Sequence, residues 1–246
     1  MHTVGEPLMY SGFKDVLKIC SENGMYLWIT TNGLLLDKKM SKIKEYPRAI
    51  KHMAFSVDGA TEKSYETIRR GGNFRKLLSN SDLMKEYCNN TKFAFIPSLQ
   101  VCLSKENFDE IPIFYKVFTK YFGIENMLFS FLSNLSAEHG NNIYYADAKI
   151  DLGEHYRLNC PCKLLWHQIH VLHDGKVSAC CRDYDGELIV GDIKKESILD
   201  IWNGEKYNRL REKHIKGDVG DIPLCRDCYE TIRRGGNFRK LLSNSD

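Results

Sequence analysis

Short apolar runs alternate with helix-patterned segments through the first 135 residues, and this alternation limits the possible folds more than any other feature. The apolar runs that predict strands are Tyr26–Thr30, Met53–Val57, Phe95–Leu103 and Met127–Phe131. The segments that predict helices are Gly12–Glu22, Lys38–Glu45, Phe74–Cys88 and Phe108–Tyr121. Such alternation is typical of parallel βα units with crossover helices. The sequence therefore predicts an α/β fold.

Polar, glycine-containing segments occur where strands are expected to end. They are Gly5-Glu6-Pro7, Thr31-Asn32-Gly33 and Ser56-Val57-Asp58-Gly59. In parallel α/β folds, ligands bind at the C-terminal ends of the strands. Each segment alone also fits an ordinary turn, because Asn-Gly and Asp-Gly are common turn pairs. Their recurrence after successive strands favours a ligand-binding edge.

Four cysteines in the C-terminal third have the spacing of metal ligands. Cys162, Gly175 and Cys180 form C-x12-G-x4-C, and Cys225 and Cys228 form C-x-x-C. Two thiolate pairs far apart in sequence can supply four sulfur ligands to one centre, either zinc or an iron–sulfur cluster. Unligated core cysteines are the alternative, because cysteine is often buried.

Two further cysteines lie beside the favoured ligands. Cys160 is close to Cys162, and Cys181 is adjacent to Cys180. Neighbouring residues on a strand point to opposite faces, so only one of the second pair can face a metal. The glycine spacing favours Cys162 and Cys180, and the turn His173-Asp174-Gly175 predicts that a hairpin brings them together.

Composition narrows the class of protein. The chain has 246 residues, a net charge of +3 and 43% hydrophobic residues, which predicts a substantial core and neither a nucleic-acid nor a membrane partner. Without an 18-residue apolar run or a signal peptide, it is expected to be soluble and cytoplasmic. Nine cysteines in a reducing compartment indicate metal or redox chemistry rather than disulfides. Cys20, Cys88 and Cys102 are expected to be core residues.

The periodic pattern weakens between Ser136 and Arg157, which predicts a domain boundary. The predicted organisation is a first domain over residues 1–135, a linker over 136–157 and a cysteine-rich domain over 158–228. In the last of these we expect a hairpin of Gln168–Leu172 and Lys176–Ala179. A helix around Ser197–Lys213 should follow, with Trp202 and Leu210 as core anchors.

An identical stretch of 18 residues occurs twice, as Tyr65–Asp82 and as Tyr229–Asp246. In the first copy, Asn73 can cap a helix. The helix would have an apolar stripe that begins in the copied segment and continues beyond it. The stripe consists of Phe74, Leu77, Leu78, Met84, Tyr87 and Cys88. We therefore expect the first copy to be in its native context and residues 229–246 to be a non-native tail. A functional duplicated helix is the alternative.

Taken together, these segments resemble radical S-adenosylmethionine (SAM) enzymes of the SPASM or twitch type. The resemblance rests on VGEPL at Val4–Leu8, TTNGLLL at Thr30–Leu36 and SVDGATEKSYETIR at Ser56–Arg69. It is more specific in the C-terminal part, where VGDIKKESILDIWN at Val190–Asn203 and LCRDC at Leu224–Cys228 accompany C-x12-G-x4-C.

The resemblance implies a fold, cofactors and site residues. The fold would be a partial (β/α)6 radical SAM barrel lacking its first strand and helix, followed by a small cysteine-rich α+β SPASM/twitch domain. SAM would be bound by Gly5, Glu6, Pro7, Asn32, Ser56, Asp58 and Arg69. One auxiliary [4Fe–4S] cluster would be held by Cys162, Cys180, Cys225 and Cys228. The substrate would be a sugar or alcohol, or a peptide, and the electron donor a flavodoxin or ferredoxin.

One departure from the family concerns the cluster that cleaves SAM. The family holds that [4Fe–4S] cluster with C-x3-C-x2-C, and this spacing is absent from the 246 residues. We therefore expect the chain to be an N-terminally truncated enzyme that is inactive as written, since the cofactor supplies the radical chemistry. The alternatives are a zinc- or iron–sulfur-binding module without SAM chemistry, and a non-catalytic scaffold.

Dehydrogenation would also require a general base. Asp183 and Asp185, within CCRDYDG, are weak candidates for this catalytic role by position alone. The alternative for both is a solvated loop carboxylate.

Overall fold

The structure is a computed structural model that describes residues 5–131, 161–183 and 185–226. The chain divides into two compact units, Met1–Leu132 and Ser133–Asp246. The predicted linker 136–157, the tail 229–246, Cys160 and Cys228 all lie outside the described residues. No helix in the described part of the chain is long and apolar enough to cross a membrane.

The first unit is built on a parallel sheet. Its strands are β1 (Leu27–Thr31), β2 (Ile50–Ser56), β3 (Ile96–Leu103) and β4 (Met127–Phe131), hydrogen-bonded in that order. Every neighbouring pair is parallel. Parallel neighbours require crossover connections, which the intervening helices provide. The predicted α/β class with parallel βα units is confirmed, whereas closure into a partial barrel stays a prediction.

Five helices connect or flank these strands. They are α1 (Phe13–Glu22), α2 (Leu36–Glu45), α3 (Glu62–Ile68), α4 (Phe74–Asn90) and α5 (Ile111–Phe122). Four of them match the helices predicted from the sequence to within about three residues at either end. The short helix α3 was not predicted. The Thr61 hydroxyl accepts from the backbone N–H of Ser64, and the Ser64 hydroxyl accepts from the backbone N–H of Thr61, which completes a capping box.

The first copy of the repeated stretch, which begins at Tyr65, contains the end of α3 and the start of α4. The Asn73 side chain accepts a hydrogen bond from the backbone N–H of Lys76, as expected for a helix cap. Within the predicted stripe, Phe74, Leu77, Met84 and Tyr87 are buried, and Leu78 and Cys88 are partly buried. The stripe therefore packs α4 on the sheet.

The three cysteines predicted to be core residues differ in their burial. Cys20 is buried, whereas Cys88 and Cys102 are half-buried. Burial raises the pKa of all three thiols, to about 11 for Cys88. These side chains are therefore protonated near neutral pH and behave as small apolar groups.

The second unit contains an antiparallel sheet of β5 (His170–Val171), β6 (Lys176–Ser178) and β7 (Ile189–Asp192). The predicted hairpin forms β5 and β6, and Gly175 at φ +88° makes the turn between them. Helices α6 (Ile198–Asn203), α7 (Glu205–Lys216) and α8 (Pro223–Arg226) follow.

Two details of this unit differ from the prediction. The helix expected around Ser197–Lys213 is interrupted at Gly204, whose backbone is extended, so that α6 and α7 are separate. Leu210 is buried as predicted, but Trp202 is only partly buried. Ile201 and Tyr207 take the place expected for Trp202 in the core.

Candidate functional site

The Glu6 carboxylate joins the N-terminal turn to the end of β1. Its Oε1 atom accepts hydrogen bonds from the Thr31 hydroxyl at 2.6 Å and from the backbone N–H of Leu8 at 3.0 Å. Its Oε2 atom accepts from the backbone N–H of Asn32 at 2.8 Å. Thr31 is buried, so its hydroxyl fixes the orientation of this carboxylate.

The other predicted residues near Glu6 contribute mainly backbone geometry. Gly5 is exposed, and Pro7 is buried at the start of a short 3-10 helix that Glu6 caps. The Asn32 side chain accepts from the backbone N–H of Leu34 and closes a turn. Asn32 therefore acts at this edge through its backbone.

Arg69 connects two polar residues at the end of β2. Its Nη2 atom donates to the Ser56 hydroxyl at 2.5 Å and to Asp58 Oδ2 at 2.7 Å. Asp58 Oδ1 accepts from the backbone N–H of Cys102 on β3. The Asp58 and Arg69 side chains are only 14% and 28% exposed. Arg69 Nε is buried and has no hydrogen-bond partner among the described residues.

The turn after β2 is held by Asn107 and Glu110 in the segment that leads into α5, and the sequence did not reveal these contacts. Glu110 Oε2 accepts from the backbone N–H of Ala60 at 2.8 Å and from the Ser64 hydroxyl at 2.7 Å. Asn107 donates to the backbone carbonyl of Asp58 at 2.8 Å. These bonds position Asp58 without occupying its carboxylate.

A close backbone approach explains the glycine in this turn. A Cβ atom at Gly59 would overlap the backbone nitrogen of Tyr65, which cannot move without displacing α3. Glycine therefore allows α3 to begin directly against the end of β2.

These contacts define a polar sheet edge consisting of Glu6, Asn32, Ser56, Asp58 and Arg69. Because β1 and β2 are parallel neighbours, their C-terminal ends lie side by side. The edge presents carboxylate acceptors and a guanidinium donor together. Such an arrangement can bind a small ligand that carries both an amino group and a carboxylate.

In the second unit, three of the four predicted metal ligands line one pocket. Cys162, Cys180 and Cys225 lie around about 380 Å³ of space free of protein atoms, part of it open to solvent. His214 also lines this space. We call the space enclosed by these four residues and their apolar neighbours the cysteine pocket. The remaining lining residues are Leu164, Leu165, Ala179, Leu188, Leu210 and Leu224. The fourth predicted ligand, Cys228, lies outside the described residues.

The backbone around Cys180 is arranged to support a thiolate. The backbone N–H of Arg182 donates to Cys180 Sγ at 3.4 Å, and the backbone N–H of Cys180 donates to the Ser178 hydroxyl at 3.2 Å. Only the first of these two bonds reaches the sulfur, and a hydrogen bond from a backbone N–H favours the charged form of its acceptor. Among the two adjacent cysteines, Cys180 lines the pocket, and Cys181 is not among its lining residues.

The spacing of these side chains bears on the kind of centre. Within the described ranges, no three His, Cys, Asp or Glu side chains converge closely enough to hold a single metal ion. A tetrahedral zinc site with Zn–S bonds of about 2.3 Å would bring sulfurs to about 3.8 Å from each other. A cluster tolerates wider spacing, because several iron and sulfide ions lie between its cysteines.

His214, on α7, was not anticipated as a site residue. Its side chain is buried, and its Nδ1 atom accepts a hydrogen bond from the backbone N–H of Cys162 at 3.4 Å. Burial lowers the pKa of the imidazole below its ordinary value. No sequence motif marks His214, because its contact is with Cys162, 52 positions away along the chain.

The environment of Asp183 fits neither a general base nor a solvated loop carboxylate. It is 1% exposed, and its carboxylate accepts from the Ser178 hydroxyl and from the backbone N–H groups of Glu187 and Leu188. Asp183 is therefore not a solvated loop carboxylate. It closes the loop between β6 and β7, and this leaves the general-base role without geometric support. Asp185 is exposed.

Sequence profiles of two families match the two units. The Radical SAM superfamily matches residues 1–116. An iron–sulfur cluster-binding domain, SPASM, matches residues 160–229. The first match contains the polar sheet edge, and the second contains the cysteine pocket.

Individual proteins are similar to the chain over different lengths. The tungsten-containing aldehyde ferredoxin oxidoreductase cofactor-modifying protein of Pyrococcus furiosus is 25% identical over 96% of this chain and 74% of its own length. The S-adenosyl-L-methionine-dependent 2-deoxy-scyllo-inosamine dehydrogenase of Niallia circulans is 32% identical over 22% of each chain.

The fold is also similar to solved structures. The structure of anSMEcpe with bound AdoMet superposes with a TM-score of 0.58 at 15% identity, covering 97% of this chain and 78% of that one. A second structure of that protein, with AdoMet and a Cp18Cys peptide, gives a TM-score of 0.53 at 16% identity over 89% and 76%. Residues 1–116 thus match the Radical SAM superfamily and residues 160–229 match a SPASM domain, and the two matches imply SAM and iron–sulfur clusters as cofactors.

Proposed function

We propose that the polar sheet edge binds SAM and that the cysteine pocket holds one auxiliary [4Fe–4S] cluster, in a radical SAM oxidoreductase or modifying enzyme. The observation that carries this proposal is the meeting of Cys162, Cys180 and Cys225 in one pocket. These cysteines come from two motifs that are far apart in sequence. Cys228 would complete the ligand set.

The SAM proposal is supported by unused hydrogen-bonding capacity at the polar sheet edge. Glu6 Oε2 accepts one bond from the described residues, and a carboxylate oxygen can accept two. Arg69 Nε is a buried donor with no partner in the described ranges. This acceptor and this donor suit the amino and carboxylate groups of the methionyl part of SAM.

The cluster proposal is supported by the chemistry of the pocket lining. Three cysteine sulfurs can ligate iron, and the backbone N–H of Arg182 stabilises negative charge on Cys180. The surrounding leucines limit access of water. A cluster bound there supplies one-electron redox chemistry.

The names of the relatives support a proposal about the substrate class. One is named as a dehydrogenase of 2-deoxy-scyllo-inosamine, another as a cofactor-modifying protein, and a structural neighbour contains a peptide. We therefore propose a sugar, alcohol or peptide substrate, with a flavodoxin or ferredoxin as electron donor. Because C-x3-C-x2-C is absent, we expect the 246-residue chain alone to bind SAM without cleaving it.

The cluster is tested by anaerobic reconstitution of the full chain with ferrous iron and sulfide. We expect retained iron and sulfide and visible absorption, both lost in Cys162→Ser and Cys180→Ser. Cys181→Ser is the matched control and should retain the cluster. Retention of zinc with no visible absorption would favour the alternative of a zinc module without SAM chemistry.

SAM binding is tested separately by isothermal titration calorimetry with SAM. Glu6→Gln and Arg69→Met should each weaken binding about tenfold or more, because each removes a charged hydrogen-bonding group. Glu45→Gln is the control, since Glu45 pairs with Lys14 in an exposed position. Absence of SAM binding by the unmodified chain would contradict the proposal.

A further inference from the structure

One polar side chain in the cysteine pocket has a proton with no acceptor among the described residues. His214 is 6% exposed, and its Nδ1 atom accepts from the backbone N–H of Cys162. A ring nitrogen that accepts a hydrogen bond carries no proton, so the proton of the neutral ring lies on Nε2. That Nε2 atom is buried and has no hydrogen-bond partner among the described residues.

Among the described residues that line the pocket, only the cysteines offer a side-chain acceptor for this proton. The other described residues that line the pocket are five leucines, one alanine and three cysteines, Cys162, Cys180 and Cys225. Leucine and alanine side chains carry no acceptor. Buried donors in native proteins are nearly always satisfied, so an anionic sulfur in the pocket would complete the hydrogen bonding of His214.

We propose that His214 is a positioning residue whose Nε2–H donates to an anionic sulfur in the cysteine pocket and so raises the reduction potential of a bound cluster. The sulfur is a cysteine thiolate or a cluster sulfide, which share the same acceptor chemistry. This inference rests on the proposed function of the pocket as an iron–sulfur site. Hydrogen bonds to the sulfurs set the potentials of such clusters, because they stabilise the more negative, reduced state.

The same geometry excludes His214 as a ligand through Nε2. A ligating nitrogen must offer a lone pair, whereas Nε2 carries the proton in this tautomer. The Nδ1 lone pair is used by the backbone N–H of Cys162. His214 therefore acts on the sulfur atoms and not on iron.

The test compares two substitutions that separate the acceptor at the Nδ1 position of the ring from the donor at the Nε2 position. His214→Asn retains an acceptor near the Nδ1 position but is too short to present a donor at the Nε2 position. His214→Gln can place an amide N–H there. His170→Asn is a matched control, because His170 Nε2 is also buried without a described partner, but His170 does not line the pocket.

Each variant of the full chain is reconstituted anaerobically, and its midpoint potential is measured by an EPR-monitored redox titration. Iron and sulfide content should be the same in all four proteins. In His214→Asn, the equilibrium constant for reduction should fall about tenfold, which corresponds to about 59 mV for a one-electron couple. His214→Gln should recover at least half of the shift, and His170→Asn should show none.

Several results would overturn the proposal. Equal potentials in the wild type and His214→Asn would remove the role of His214 and leave the cluster site intact. Loss of iron from a folded His214→Asn protein would make His214 a ligand. Failure of the unmodified chain to retain iron and sulfide would overturn the cluster site as well. If His214→Asn does not fold, long-range 1H–15N correlation on the wild type still decides, because an Nδ1-protonated ring contradicts the proposal.

Discussion

The hydroxyl of Thr31 donates a 2.6 Å hydrogen bond to Oε1 of Glu6, so that the end of β1 orients a carboxylate on the N-terminal turn. The same hydroxyl accepts from the backbone N–H of Gly33 at 3.0 Å. One buried side chain therefore fixes both the carboxylate and the turn that follows the strand.

Thr31→Val should destabilise the first unit by about 1–3 kcal/mol at similar side-chain volume, because it leaves the Gly33 N–H without its acceptor and removes one of the two hydrogen bonds to Glu6 Oε1. Thr31→Ser retains the hydroxyl and should cost less. Urea denaturation followed by circular dichroism provides the free energies of unfolding. Equal stabilities of the valine and serine variants would show that the hydroxyl contributes nothing.

Arg69→Met should cost about 1–3 kcal/mol of unfolding free energy, because it leaves the mostly buried Asp58 carboxylate without its cationic partner. The matched control is Arg75→Met, since Arg75 and Glu62 are 85% and 51% exposed and such surface pairs contribute little. A double-mutant cycle with Asp58→Asn measures the coupling. A coupling energy near zero would contradict the role of this ion pair.

Asp183→Asn should destabilise the second unit by about 2 kcal/mol, because an amide cannot accept all the hydrogen bonds that the carboxylate receives. Asp185→Asn should change stability by less than about 0.5 kcal/mol, since Asp185 is exposed. Thermal unfolding monitored by near-UV circular dichroism compares the two. If the effects were equal, Asp183 would not be the residue that closes this loop.

Stability should fall as the pH decreases below about 6.5, partly because of His52. Burial lowers the pKa of His52 in the folded protein, so the unfolded chain takes up the proton first as the pH falls. The unfolded state then binds more protons, and the free energy of unfolding decreases by less than about 1.4 kcal/mol per pH unit from this group.

His52→Phe should reduce this slope as the pH falls below about 6.5, and it should leave the slope above pH 7 unchanged. The phenyl ring can retain the packing against Trp28, whose ring centroid lies 5.1 Å from that of His52. Urea denaturation at half-unit pH intervals provides the comparison. Parallel stability curves for the two proteins would mean that His52 has the same pKa in both states.

The sheet and its longer helices could be predicted from the sequence because their signals are local. Apolar runs marked the four strands, and Asn73 marked the start of α4. The helix Glu62–Ile68 was missed because it is short and mostly polar, although Thr61 and Ser64 form a capping box that could have indicated it. The interruption at Gly204 was missed because the apolar pattern continues across it.

The site was predictable only where its residues lie in recognisable segments. Glu6, Asp58 and Arg69 belong to such segments, and the structure places them at neighbouring strand ends. Glu110 and His214 do not, because their contacts depend on tertiary packing between residues that are far apart in sequence. Periodicity and spacing carry no information about such contacts.

The bond from Ala60 to Glu110 spans 50 positions and has a consequence for the order of folding. The turn that presents Asp58 is incomplete until the segment leading into α5 has docked, which requires β3 to be paired first. Closing so long a loop is slow and is not compensated until the tertiary contacts form. A growing chain therefore has β1 and β2 before it has a competent polar sheet edge, and ligand affinity should emerge only after Glu110 has been made and has docked on the turn.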